Sequence, residues 1–239
     1  MPIPRLLDDV LREASGRTHR PNAATAPSGG PAGNAVLVAW TGLVLLVLIA
    51  GELVTLLDVR GLLDWHVGIG VLLIPVALLK TAATGWRVVR YYTGGRPYRA
   101  AGPPPPVLRM LGPLVVAATL GLLASGVVLI AVGEARSRRT LLSALGQRVD
   151  LVTVHQALFW AFAVVTGVHL LTRLAPALAL AGGRTPGGRV PGSGRRAAGL
   201  AVTAVAAVVA VLLLLPLADG WQNDDRRPEG PPGHGLRTR

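Results

Sequence analysis

Five apolar runs divide this 239-residue chain, each long enough to cross a hydrocarbon layer of roughly 30 Å. They are approximately Ala35–Leu57, His66–Trp86, Val107–Val132, Leu151–Leu171 and Gly199–Leu217. Inside lipid there is no water to satisfy backbone N–H and C=O groups, so each run must form a helix that closes its own hydrogen bonds. Composition agrees, with 15% charged residues against about a quarter in soluble domains. The mean hydropathy is +0.51. The expected fold class is all-α: an integral membrane helix bundle with a four-helix core plus a fifth transmembrane helix.

The first run is too long, and starts too far from the N-terminus, for a cleaved secretory signal, and reads as an uncleaved helix. Residues 1–34 form a polar segment ending in "RPNAATAPSGGPAGN", whose composition cannot build a core and is expected to be disordered. Its beginning, "IPRLLDDVLREA", is suited to a short amphipathic turn at the membrane surface. The core is expected over 35–176. A flexible linker over 177–198 precedes the fifth helix at 199–217, which is placed at the periphery, and a polar tail occupies 218–239. There is no cysteine, which excludes disulfides, thiolate metal sites and iron–sulfur clusters.

The formal charge is +12, and 23 of the 24 basic residues are arginine. They lie between the spans, where they anchor the helices and set topology, and this excludes nucleic acid as the expected partner. Fourteen fall on the side of the N-terminus and nine on the other, which predicts a cytoplasmic N-terminus in a multi-pass plasma (inner) membrane protein. Trp40, Trp65, Trp86 and Trp221 sit at span ends, as an aromatic belt requires. The stretch "TGWRVVRYYTGGRPYRAAGPPPPVLR" reads as a non-helical inner loop, in contact with lipid or with a cytoplasmic partner.

The fourth run holds two of the five histidines, His155 and His169, 14 residues apart. That is about 21 Å along a helix and within about 40° of the same face. Phe159 and Phe162 lie on the stripe between them. The second run repeats the spacing in altered form, with His66 followed 14 residues later by Lys80. Runs two and four point the same way, which brings His66 level with His155 near the outer face and Lys80 level with His169. Gly68 and Gly70 leave a notch beside His66, while Gly112, Gly121 and Gly126 offer close approach or simple helix packing. Histidine in lipid is costly without a partner. Facing imidazoles form the usual axial pair of a b-type haem, which needs no cysteine. Each histidine can instead bond to a neighbouring carbonyl, threonine or glutamine, and on the residues alone both readings stay open.

Histidines at this spacing on the second and fourth helices resemble the membrane four-helix b-type cytochromes. That group includes cytochrome b/b6-like and cytochrome b561-like subunits and the anchors of hydrogenases and formate dehydrogenases. The resemblance covers roughly Ala35–Pro176. It implies that His66 and His155 are the iron ligands of an outer-side haem b. His169 would be half of an inner site whose mate should be a histidine at position 80. Lys80 departs from that pattern and is expected to snorkel to the inner headgroups. One haem b is therefore expected, not two, with His169 left as a structural remnant, a propionate partner or an alternative ligand.

Arg60 and Arg148, near the outer ends of runs two and four, are candidate propionate partners. Glu52 is expected to face the interface, with proton transfer at a quinone site as the sharper alternative. The expected function is a haem-binding electron-transfer subunit relaying electrons between a redox partner subunit and quinone or another acceptor. Without a nucleophile or nucleotide motif it does not read as a free-standing enzyme. The competing reading is a haem-free membrane scaffold, anchor or small transporter. Membrane lipid is a partner in either case, and homo- or hetero-oligomers are compatible with both.

Overall fold

The computed structural model describes residues 8, 30–101, 106–144, 146–182 and 190–222. Most of the expected disordered N-terminal segment, the middle of the expected linker and most of the polar tail lie outside these residues. Five long apolar helices make this a multi-pass membrane protein. They are α1 (Gly30–Thr55), α2 (Leu63–Tyr92), α4 (Pro106–Val132), α6 (Leu151–Ala181) and α7 (Ser193–Leu214). Short pieces join or extend them: a 3-10 turn at Leu56–Asp58, α3 (Arg96–Ala100), α5 (Glu134–Ser137), a second 3-10 turn at Leu215–Ala218 and α8 (Asp219–Gln222). The one strand pair among the described residues joins β1 (Leu142–Ala144) antiparallel to β2 (Gln147–Val149), turning at Gly146, whose φ of 75° suits glycine.

The helices outlast the apolar runs. α2 continues through Trp86, Arg87 and Arg90 to Tyr92, and α6 continues through Arg173 and Pro176 to Ala181. Hydropathy falls where arginines begin, but arginine is a good helix former whose stem stays apolar while its head reaches polar surroundings. The expected non-helical loop is accordingly corrected: Thr84–Tyr92 is helix, Arg96–Ala100 is α3, and α4 starts at Pro106. The start of α6 is set by Asp150, an N-cap whose carboxylate accepts from the Thr153 N–H at 2.7 Å and the Thr153 hydroxyl at 2.8 Å.

Cross-links between helices show an alternating, antiparallel order. At one end of the bundle Thr55 of α1 meets His66 of α2; at the other, Asn34 Nδ2 donates to the Ala83 carbonyl at 2.9 Å. In the second pair, Gly121 and Gly126 of α4 lie against Leu158 and His155 of α6. These termini define a His66 end and a Lys80 end. α2 is the central helix: a third of its apolar window is buried, against 6–17% for the other four. Much of the remaining apolar surface, including Val47, Leu171 and Val202, points outward as lipid contact.

The fifth helix packs along α2, beside the other four. Ala218 is fully buried against Val67, Val71 and Ile130, with Ala210, Val211 and Leu214 packed around them. Trp221 Nε1 donates to the Leu129 carbonyl at 3.1 Å and ties α8 to α4. The composition of the segment before it does not predict where this helix docks; the small side chains of α7 allow backbones to approach closely in lipid, where packing drives association. A second apolar cluster, Leu45, Leu73, Val76 and Ala77, joins α1 to α2 midway along the bundle.

Candidate functional site

Between the helices runs a cavity of about 1760 Å³, larger than the roughly 300–1,000 Å³ of ordinary ligand pockets. His66, His155 and His169 all line it, as do Phe159 and Phe162, so the expected stripe on α6 does face inward. Gly70 lines it and Gly68 does not, which narrows the expected notch to Gly70.

His66 stands in the first turns of α2. Its Nδ1 lies 3.0 Å from Thr55 Oγ1 and 2.9 Å from Glu52 Oε1, both on α1. The Thr55 hydroxyl donates its single proton to the Glu52 backbone carbonyl at 2.6 Å, so its oxygen accepts from His66 Nδ1–H.

His155 repeats the arrangement on the other helix pair. Ser125 Oγ donates to the Leu122 carbonyl at 2.8 Å and lies 2.8 Å from His155 Nδ1. With the hydroxyl proton committed to its own helix, the oxygen accepts from Nδ1–H. Gly126 makes room for this ring: a Cβ built there would sit 3.4 Å from His155 Cε1. The two imidazoles lie within electrostatic range of each other.

Two imidazoles line one largely apolar cavity, each held at Nδ1 by a partner on the neighbouring helix, which is how ligating histidines are usually oriented. Among the described residues no group of three or more histidines and carboxylates could hold a metal ion directly. A porphyrin supplies four of six donors itself, so a histidine pair would suffice.

Glu52 is a corrected expectation. Instead of facing the interface it packs on His66 and lines the cavity, with its second oxygen, Oε2, buried and unbonded among the described residues. No pattern within the first run pairs Glu52 with a residue 14 positions away on the next helix; the signal was an acidic residue within two helical turns of a span end that faces His66. Thr55 and Ser125 were missed because serine and threonine recur throughout the chain. Arg60 and Arg148 are exposed and outside the cavity lining; Arg148 pairs with Ser143 in the hairpin. The arginines that do line the cavity are Arg87, Arg109 and Arg173, toward the Lys80 end.

At that end Lys80 is a further correction. It does not snorkel away: its Nζ donates to the Val38 carbonyl at 3.0 Å, over Gly42, where a Cβ would come within 2.7 Å of the ammonium. His169 lies within electrostatic range of Lys80, but its Nδ1 is buried without a partner among the described residues. Thr166 Oγ1, one turn earlier, is in the same condition. The histidine pair expected across this level is absent by sequence, and the imidazole that remains lacks the hydroxyl that orients the other two. In comparisons with protein-family models, curated proteins and solved structures, nothing matches the chain.

Proposed function

We propose that this chain is a membrane cytochrome subunit that holds one haem b between His66 and His155 and passes single electrons between a redox partner and quinone or another acceptor. The observation that carries the reading is the repeated device at the His66 end. On two separate helix pairs, a hydroxyl whose proton is committed to its own helix accepts from Nδ1 of a histidine that lines the cavity. The haem would supply the redox chemistry; the chain supplies ligands, orientation and an apolar wall. By the distribution of arginines, the Lys80 end lies on the cytoplasmic side of the plasma (inner) membrane with the N-terminus. A single haem near one face does not carry electrons across the bilayer unaided, so a partner on that face is part of the proposal.

One observation favours a second reading, a haem-free scaffold: both histidines already have a satisfied nitrogen, as imidazoles serving only as helix cross-links would. Reduced-minus-oxidised visible spectra of protein purified from haem-replete membranes separate the two. A b-type spectrum at one haem per chain is expected, and a flat spectrum at full protein recovery would leave the scaffold reading standing.

A further inference from the structure

The cavity is far longer than one site. Lys80 is about 21 Å along α2 from His66, beyond the reach of anything held by His66 and His155. Its walls change character on the way. Glu52, at the His66 end, is the only acidic residue among those lining the cavity. Every described acidic residue except Asp8 likewise falls at that end of the helices or in the connections there. Toward the other end the lining carries Lys80, Arg87, Arg109 and Arg173. Arg173 is within electrostatic range of Lys80, Arg87 and His169, so these groups form one positive field.

Interfacial arginines of ordinary topology extend into headgroups, but Lys80, Arg87 and Arg173 are half-buried and face inward. Lys80 uses one of its three N–H donors on the Val38 carbonyl. On α6, His169 Nδ1 and, one turn earlier, Thr166 Oγ1 are buried without partners among the described residues, and Thr166 as a whole is only 9% exposed. Unmet polar atoms in a low-dielectric wall are costly, and a half-buried ammonium such as that of Lys80 is costlier unless an anion joins it. A group that is negative, has several acceptor oxygens and is attached to an apolar body would answer all of these conditions together.

We propose that the Lys80 end of the cavity binds a phosphate-bearing anion, with Lys80 and the Arg173 field on its charge and His169 and Thr166 donating to its oxygens. The apolar remainder of the wall, between Leu45 and Leu123, suits an acyl chain and points to an anionic phospholipid rather than free phosphate as the source.

The full chain, purified in detergent and stripped of lipid, is titrated separately with dioleoyl phosphatidylglycerol, dioleoyl phosphatidylcholine and inorganic phosphate, with bound molecules counted by native mass spectrometry. Retention of one phosphatidylglycerol per chain, in preference to phosphatidylcholine, is expected. Lys80→Met should weaken it at least about tenfold, the loss of one charge-assisted contact, and Lys80→Arg should keep it. Gly42→Ala, which leaves the lysine in place but drives its ammonium off the Val38 carbonyl, should weaken it too. Saturable inorganic phosphate binding that competes with phosphatidylglycerol and is lost in Lys80→Met would support the anion site and make its occupant a soluble one. Equal retention of both lipids, or wild-type retention in both Lys80→Met and Gly42→Ala, would overturn it. The visible spectrum of each sample is independent of this outcome: lipid retained with no haem signal sinks the cytochrome reading alone, and haem without lipid preference sinks the anion site alone.

Discussion

The two ends of one cavity are built from nearly the same parts and finish differently. At the His66 end, each imidazole is fixed by a neighbour on another helix: Thr55 and Glu52 for His66, Ser125 for His155. At the Lys80 end, Thr172, one turn after His169, donates instead to the His169 backbone carbonyl at 2.8 Å, and the ring Nδ1 has no partner among the described residues. Position along a helix makes a residue available; a partner on the next helix decides which atom it presents. A histidine without such a partner can turn and exchange tautomers, which suits it to hydrogen bonding more than to holding a metal in one geometry.

The sharpest way to break this comparison is to remove the rings. His66→Ala and His155→Ala are each expected to abolish the b-type spectrum, whereas His169→Ala and Lys80→Ala should leave it; loss on removing His169 would erase the distinction between the ends. Next come the orienting groups. Ser125→Ala strips His155 of its only Nδ1 partner and should weaken haem retention by about 10–100-fold, the usual cost of a lost orienting contact. Thr55→Val should cost less, since Glu52 remains on His66, and a haem titration of the two variants side by side gives the order.

A smaller effect is expected at the N-cap of α6. Asp150→Ala should cost about 1 kcal/mol of helix stability, read as a lower thermal midpoint. It should loosen His155, little more than one turn away, without touching the Lys80 end. The Thr153 N–H and hydroxyl hold the Asp150 carboxyl below the usual carboxylate range. A group whose folded pKa is depressed contributes stability above its unfolded pKa of about 4 and loses it as pH falls through the folded value. The difference between wild type and Asp150→Ala should therefore shrink on acidification below about pH 4. The smallest expected change is none. Lys80→His restores a histidine opposite His169, yet the haem-to-protein ratio should stay at one because neither ring would gain an orienting hydroxyl. A ratio of two would show that residue identity alone builds such a site.

Much of this was legible in the sequence. Hydropathy located all five spans, and helical periodicity put His155, Phe159, Phe162 and His169 on one inward stripe, because both depend only on local chemistry and a fixed rise per residue. What escaped was set by contacts between helices. Glu52 looked interfacial by depth, but rotation about the α1 axis turns it onto His66. Lys80 looked able to reach headgroups, but Gly42 on the facing helix opens a nearer acceptor at Val38. Arg60 and Arg148 share the level of the histidines, but level does not say which way a side chain there points, and both are exposed. The neighbour of the fifth helix was not legible, because a segment of alanine, valine and leucine carries no mark of what it packs against.

That last docking has a consequence for biogenesis. Ala218 seats against Val67, the residue after His66, and Trp221 closes onto Leu129 near the end of α4. During synthesis the four helices that line the cavity enter the bilayer before this span, and among the described residues of its segment only Trp221 reaches the lining, so the last span fastens the His66 end from outside the cavity.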